Sequence, residues 1–173
     1  IWLGTQVFGD TVAGIRVPAV LLHVGTGALL YRLARRLFDA RVAFWTVLTA
    51  LTVPLFAVGG ILMTIDALSV ALWAAAAWAA WRAWEEDRWT HWLLAGAFIG
   101  LGFLAKFTNA VQGVCVGLFL ACAAGGLARF RSVKPWAAGL VALALTTPFW
   151  WWNRVHGSVT LGHLKHRGAL DEP

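Results

Sequence analysis

The chain has 173 residues, of which 60% are hydrophobic and only 13% charged, with a mean hydropathy of +0.72. A soluble domain carries about twice that share of charge and could not hide so much apolar surface from water, so lipid must solvate much of this one. The net charge of +6 does not point to nucleic acid, because the basic residues fall in short clusters between apolar runs, not along one helical face or a flexible arm.

The sequence opens on Ile1 and stops abruptly after the polar Asp171-Glu172-Pro173, which reads as an internal piece of a larger protein. No signal peptide is visible at its start. The segment before Arg16 is too short to cross a bilayer, and within it residues 1–8 suit an interfacial helix. A spanning helix needs roughly 20 mostly apolar residues, and the first candidate covers about 17–37, stopped by Arg32, Arg35 and Arg36. After the Asp39-Ala40-Arg41 turn a second covers about 42–57, with Pro54 near its far end. Gly59-Gly60 breaks the pattern, and the polar Thr64-Ile65-Asp66 leads into a third span at about 67–84, rich in Ala and Trp. That span ends in the polar loop Glu85-Glu86-Asp87-Arg88.

From Trp92 to Ala124 the run is too long for one span and suits two short ones, about 92–105 and 109–125, around a hairpin at Lys106-Phe107-Thr108-Asn109. Gly96, Gly100 and Gly102 give a small-residue pattern for tight helix packing, as does the Ala-rich third span. Cys115 and Cys122 lie seven apart on one helix face, which suits neither a disulfide nor zinc; they read as small buried packing residues. Arg129, Arg131 and Lys134 form the next loop, and a sixth span at about 136–152 runs into Asn153-Arg154-Val155-His156-Gly157 and a polar tail. The sum is an all-α, polytopic bundle of about six transmembrane helices, in one domain.

Alternating these spans places Arg32, Arg35, Arg36, Arg41, Arg82, Arg88, Arg129, Arg131 and Lys134 on one side of the bilayer. Arg16, Lys106, Arg154, Lys165 and Arg167 fall on the other. The positive-inside rule makes the richer side cytoplasmic, so Asp66, Lys106 and His156 face the opposite compartment. Trp81, Trp84, Trp89 and Trp92 around one loop, and Trp150-Trp151-Trp152 at the far boundary, agree with this as interfacial aromatics. The expected location is a bacterial plasma membrane, crossed several times.

Charge at membrane depth or at a helix end asks for a reason. Asp66 either holds a metal ion, a sugar hydroxyl or a lysine, or caps the helix starting at Ala67. Lys106, the single cation in the longest apolar stretch, either pairs with an anionic headgroup such as a lipid phosphate or snorkels to the interface. Arg16, with Asp10 six residues upstream, is a phosphate site or an interfacial anchor. His156, His163 and His166 lack a carboxylate or Cys at ligand spacing, which argues against a metal site, and His23 reads as a satisfied, hydrogen-bonded helix histidine. There is no phosphate loop, nucleophile elbow or dinucleotide fingerprint.

Several segments together resemble the polytopic glycosyltransferases related to dolichyl-phosphate-mannose protein mannosyltransferases. They are Phe8-Gly9-Asp10 with Arg16-Val17-Pro18, and Leu33-Ala34-Arg35-Arg36-Leu37-Phe38 with Arg41. Met63-Thr64-Ile65-Asp66-Ala67-Leu68 and Gly100-Leu101-Gly102-Phe103-Leu104-Ala105-Lys106 follow. Pro148-Phe149-Trp150-Trp151-Trp152-Asn153 with His156-Gly157 completes the series. Each motif is weak alone; the order and spacing across nearly the whole chain are fairly specific.

The resemblance implies a family-39-like enzyme of the glycosyltransferase C superfamily. Such enzymes move a sugar from a polyprenyl-phosphate donor to a glycan, lipid or protein acceptor on the outer side of the membrane. It also implies an aspartate base in the first outward loop, expected upstream of Ile1, with a divalent metal ion nearby. No catalytic residue is therefore expected in this piece. Asp66, Lys106, Arg16, Asp10 and His156 are the substrate-binding candidates. Glycosyl transfer needs a base for the acceptor and charge stabilisation for the departing phosphate. The resemblance gives acceptor or metal organisation to Asp66 and phosphate binding to Lys106. A piece of a transporter, or of a non-catalytic membrane assembly subunit, is the alternative, although the two halves show no matching inverted pattern.

Overall fold

A computed structural model describes residues 1–160 and 162, and within them the chain is a helical bundle without strands. Helix α1 (Trp2–Phe8) is a short leading element, and α2 (Val12–Leu37) follows it. The Thr11 hydroxyl starts α2 by accepting a hydrogen bond from the Gly14 N–H at 3.1 Å, and Arg35 and Arg36 in the last turn complement the helix dipole. Of the described helices, α2 alone is long and apolar enough to cross a bilayer by length and composition taken by themselves.

Helix α3 (Ala40–Thr52) is capped by Asp39, whose carboxylate accepts from the Val42 N–H at 2.8 Å. The single run expected at about 42–57 is in fact interrupted. Val53 is extended, and α4 (Pro54–Gly59) begins afresh with Pro54 in its first turn. Proline lacks an N–H and pushes the preceding residue out of the helical region, so the break falls at Val53. Helix α5 (Ile65–Glu86) starts two residues before the expected Ala67, with Thr64 at the cap position. Asp66 therefore sits inside the first turn and does not cap it. Its carboxylate still complements the helix N-terminus.

Helix α6 (Trp89–Ala105) and α7 (Ala110–Cys122) are joined by a single 3-10 turn, Phe107–Asn109, where the hairpin was expected. Gly125, at φ 81°, makes the left-handed turn into α8 (Gly126–Phe130). Helix α9 (Val133–Val155) closes the described part, capped by the Ser132 hydroxyl.

Helix α2 lies between α3 and α5; α5 packs on α6, and α6 on α9. Small residues make these seams. Ala19, Ala43, Ala76, Ala79 and Ala83 are fully buried, whereas among the described residues most large apolar side chains are exposed and no large side chain is wholly enclosed. Lipid gives no drive to bury Leu or Phe between helices, so close backbone approach by small residues sets the packing. Gly96 faces the Ala138 carbonyl and Gly100 faces Ala142 and Leu145 so closely that a Cβ at either would collide with α9 backbone. The cysteines depart from expectation: Cys115 and Cys122 share a face of α7, but that face is exposed, because α7 turns Gln112 and Leu120 inward instead.

Candidate functional site

Two helix ends meet where the site forms. Lys106 leaves α6 in an extended conformation, its N–H still bonded to the Gly102 carbonyl at 2.8 Å, and this swings its side chain toward the first turn of α5. There Lys106 Nζ donates to Asp66 Oδ1 at 2.6 Å. Both side chains remain substantially exposed, 40% for Lys106 and 58% for Asp66, so the pair is open to a third partner.

Below the ion pair the same two segments are joined by buried polar contacts. Asn109 Oδ1 accepts from the Ser69 hydroxyl at 2.9 Å, and Asn109 Nδ2 donates to the Ser69 carbonyl at 3.2 Å. One turn further, Gln112 Nε2 donates to the Trp73 carbonyl at 2.8 Å. Lys106, Asn109 and Gln112 thus form three successive rungs against Asp66, Ser69 and Trp73. Composition alone misses this ladder. Its signal is the spacing: polar residues at i, i+3 and i+6 inside an otherwise apolar stretch, opposed by Asp and Ser three apart on a neighbouring run.

The pair opens onto a cavity of about 430 Å³ between α2, α4 and the start of α5. Phe56, Leu62 and Val70 give it apolar walls, and His23 and Thr26 of α2 line it with Asp66 and Lys106. An apolar pocket with one ammonium and one carboxylate at its edge suits an amphiphile with a polar or anionic head. The His23 ring makes no hydrogen bond among the described residues, whereas a hydrogen-bonded ring was expected. Its ring instead packs on Gly60, where a Cβ would approach Cγ to 2.8 Å.

Other candidates stand apart from this cavity. Arg16 is exposed on the first turns of α2, and Asp10 is exposed in the α1–α2 turn; neither has a charged partner among the described residues. His156 ends α9, with Nδ1 2.9 Å from the Trp152 carbonyl and its ring stacked on the Trp152 indole. His163, Lys165, His166 and Arg167 lie outside the described residues.

The acidic side chains at the opposite end of α5, Glu85, Glu86 and Asp87, are each paired in place. Arg36 bonds Glu85 and Glu86, and Arg82 lies 2.7 Å from Glu86. Asp87, left-handed at φ 47° where α5 ends, takes Lys134 at 2.9 Å, Arg129 at 2.6 Å and the Trp92 indole N–H at 3.0 Å. Partial burial pushes the Asp87 carboxyl up, but Lys134, Trp92 and Arg129 outweigh it and hold it below its ordinary value. Arg32, Arg35 and Arg36 of α2, Arg82 of α5, Arg129 of α8 and Lys134 of α9 therefore gather at one end of the bundle, and Asp66 and Lys106 lie at the other ends of their helices.

A divalent ion does not fit these residues as a site of their own. Among the described residues no three His, Cys, Asp or Glu side chains converge, and Asp66 is already engaged by an ammonium.

Residues 1–152 match the model of the family described as dolichyl-phosphate-mannose-protein mannosyltransferase. Over 162 residues the chain is 28% identical to the lipid A galacturonosyltransferase RgtD of Rhizobium johnstonii, an alignment covering 92% of this chain and 33% of that protein. The chain thus spans about a third of the length of the curated relative it matches. No solved structure matches it.

Proposed function

Because the chain belongs to the dolichyl-phosphate-mannose-protein mannosyltransferase family, we propose that it forms part of a multi-pass membrane glycosyltransferase using a polyprenyl-phosphate sugar. Transfer takes place on the non-cytoplasmic side of a bacterial plasma membrane, to a lipid, glycan or protein acceptor. A lipid acceptor is the favoured one of the three, given the similarity to a lipid A galacturonosyltransferase.

The observation that carries the reading is the Asp66–Lys106 pair at the edge of an apolar cavity. In the transfer an acceptor hydroxyl attacks the anomeric carbon, the bond from that carbon to the phosphate oxygen breaks, and negative charge collects on the departing polyprenyl phosphate. Lys106 has three N–H donors, one of them on Asp66, which leaves two for phosphate oxygens. Asp66 orients that ammonium and lies beside the acceptor's approach. The base that takes the acceptor proton is not assigned to any residue of this segment.

The test is transfer by the full-length protein in nanodiscs, supplied with labelled polyprenyl-phosphate sugars and an envelope extract. Label should appear on an acceptor as free polyprenyl phosphate accumulates. Folded protein that consumes none of the donors and labels no lipid, glycan or protein would sink the reading.

A further inference from the structure

A second cleft lies at the basic end of the bundle, between α2 and α5. It encloses about 490 Å³ and is lined by Tyr31, Arg32, Arg35 and Arg36 of α2 and by Trp78 and Arg82 of α5. On α2 these residues share one face, and Trp78 and Arg82 are one turn apart on α5. Arg82 also lies over the Trp78 ring, 5.4 Å from its centroid. The charges are unevenly used. Arg36 and Arg82 are paired with Glu85 and Glu86, whereas Arg32 and Arg35 are exposed and make no ion pair among the described residues. Two guanidinium charges are left uncompensated at one mouth.

We propose that this cleft binds a pair of phosphate charges, supplied by the two singly charged phosphodiesters of a diphosphatidylglycerol headgroup in the adjoining leaflet. The positive-inside tendency accounts for arginine on this side, but not for four arginines converging on one concavity. At the same end Arg129 and Lys134 are taken up by Asp87, and Arg41, Arg88 and Arg131, also without an ion pair among the described residues, do not line this cleft. Guanidinium forks match phosphate oxygens in pairs, and Tyr31 and Trp78 are the amphipathic rings that sit at headgroup level. Basic pockets between membrane helices on the cytoplasmic side are the usual seats of diphosphatidylglycerol and similar headgroups. This site does not depend on the glycosyl-transfer reading, since it uses none of the residues assigned to that chemistry.

The test is native mass spectrometry of the full-length protein, released from micelles containing diphosphatidylglycerol, phosphatidylcholine or inorganic pyrophosphate. One diphosphatidylglycerol should be retained in preference to phosphatidylcholine. Retention should weaken on the order of 30-fold in Arg32→Gln/Arg35→Gln and stay unchanged in Arg154→Gln, at the far end of α9. Pyrophosphate held with the same arginine dependence, in place of lipid, would support the site and identify a free phosphate compound as its source. If the double variant fails to insert, Arg32→Gln and Arg35→Gln singly, each expected about fivefold weaker, carry the comparison. Wild-type retention in those variants, or binding of neither diphosphatidylglycerol nor pyrophosphate by the wild type, overturns the proposal.

Discussion

Asn109 and Ser69 hold each other by two hydrogen bonds, the Ser69 hydroxyl donating to Asn109 Oδ1 at 2.9 Å and Asn109 Nδ2 donating to the Ser69 carbonyl at 3.2 Å. Both residues are buried. They fix the 3-10 turn against α5 and so fix where Lys106, three residues earlier, can reach. Asn109→Ala should strand the Ser69 hydroxyl and cost about 1–2 kcal/mol, whereas Ser69→Ala/Asn109→Ala should cost less than the two single changes added. Unfolding in mixed detergent measures all three variants. Strict additivity would show that the two side chains do not act together.

The segregation of charge predicts orientation. Cysteines placed at Arg35, Arg88 and Arg131 should resist an impermeant thiol reagent in intact cells, and those at Asp66, Lys106 and His156 should react. The background must lack Cys115 and Cys122, which are exposed on α7. Labelling at Arg88 without labelling at His156 would reverse the model.

The bundle was legible from the sequence because its determinants are local: apolar length, basic clusters and the hairpin around Lys106. Gly96 and Gly100 announced a close seam on α6 for the same reason, since small residues four apart permit close backbones, although not that α9 is the helix packed there. The break at Val53 is written in Pro54, which displaces the residue before it from the helical region. Pairings between distant segments were not legible. Nothing near Asp66 shows that its partner is Lys106, 40 residues on, and nothing near His23 shows that it faces Gly60. Cys115 and Cys122 could be placed on one face by spacing, but which way that face points depends on how α7 docks.

Asp87 ties α5 to α6, α8 and α9, and its depressed carboxyl gives the clamp a pH dependence. A carboxylate whose folded value lies below its unfolded one stabilises fully above the unfolded value and loses that contribution as pH falls through the folded one. The clamp should therefore be complete at neutral pH and weaken only below the ordinary carboxylate range. Asp87→Asn should lower the melting temperature by a few degrees at pH 7 and flatten its decline in acid. An unchanged acid limb in the variant would remove Asp87 from the explanation.

Asp66 offers a way to separate fold from chemistry. Its pair with Lys106 is too exposed to contribute more than about 1 kcal/mol to stability. The helix cap position belongs to Thr64. If the protein is the proposed glycosyltransferase, Asp66→Asn in the full-length chain should accordingly leave folded yield near wild type and depress turnover at least about tenfold. Activity that survives intact would make Asp66 structural.

Lys106 carries the sharpest consequence. An interfacial lysine that merely anchors the hairpin would tolerate Met or Gln, because the Asn109 and Gln112 rungs hold α7 to α5 without it. A lysine that receives the donor phosphate would not, since a hydrogen bond to a charged group contributes about 1.5–3 kcal/mol. That range corresponds to roughly a ten- to 150-fold loss in donor affinity or in transition-state stabilisation. Lys106→Met should also release the Asp66 carboxylate at the cavity edge, where it would repel an incoming phosphate and add to the loss. Lys106→Met/Asp66→Asn should then recover part of the donor affinity lost by Lys106→Met alone, an outcome that an anchoring role does not predict. Lys106→Arg should restore some activity, with charge returned in altered geometry. Donor titration with the full-length protein in nanodiscs, checked for normal insertion, distinguishes these cases. Superimposable donor curves for wild type and Lys106→Met would reduce Lys106 to an anchor.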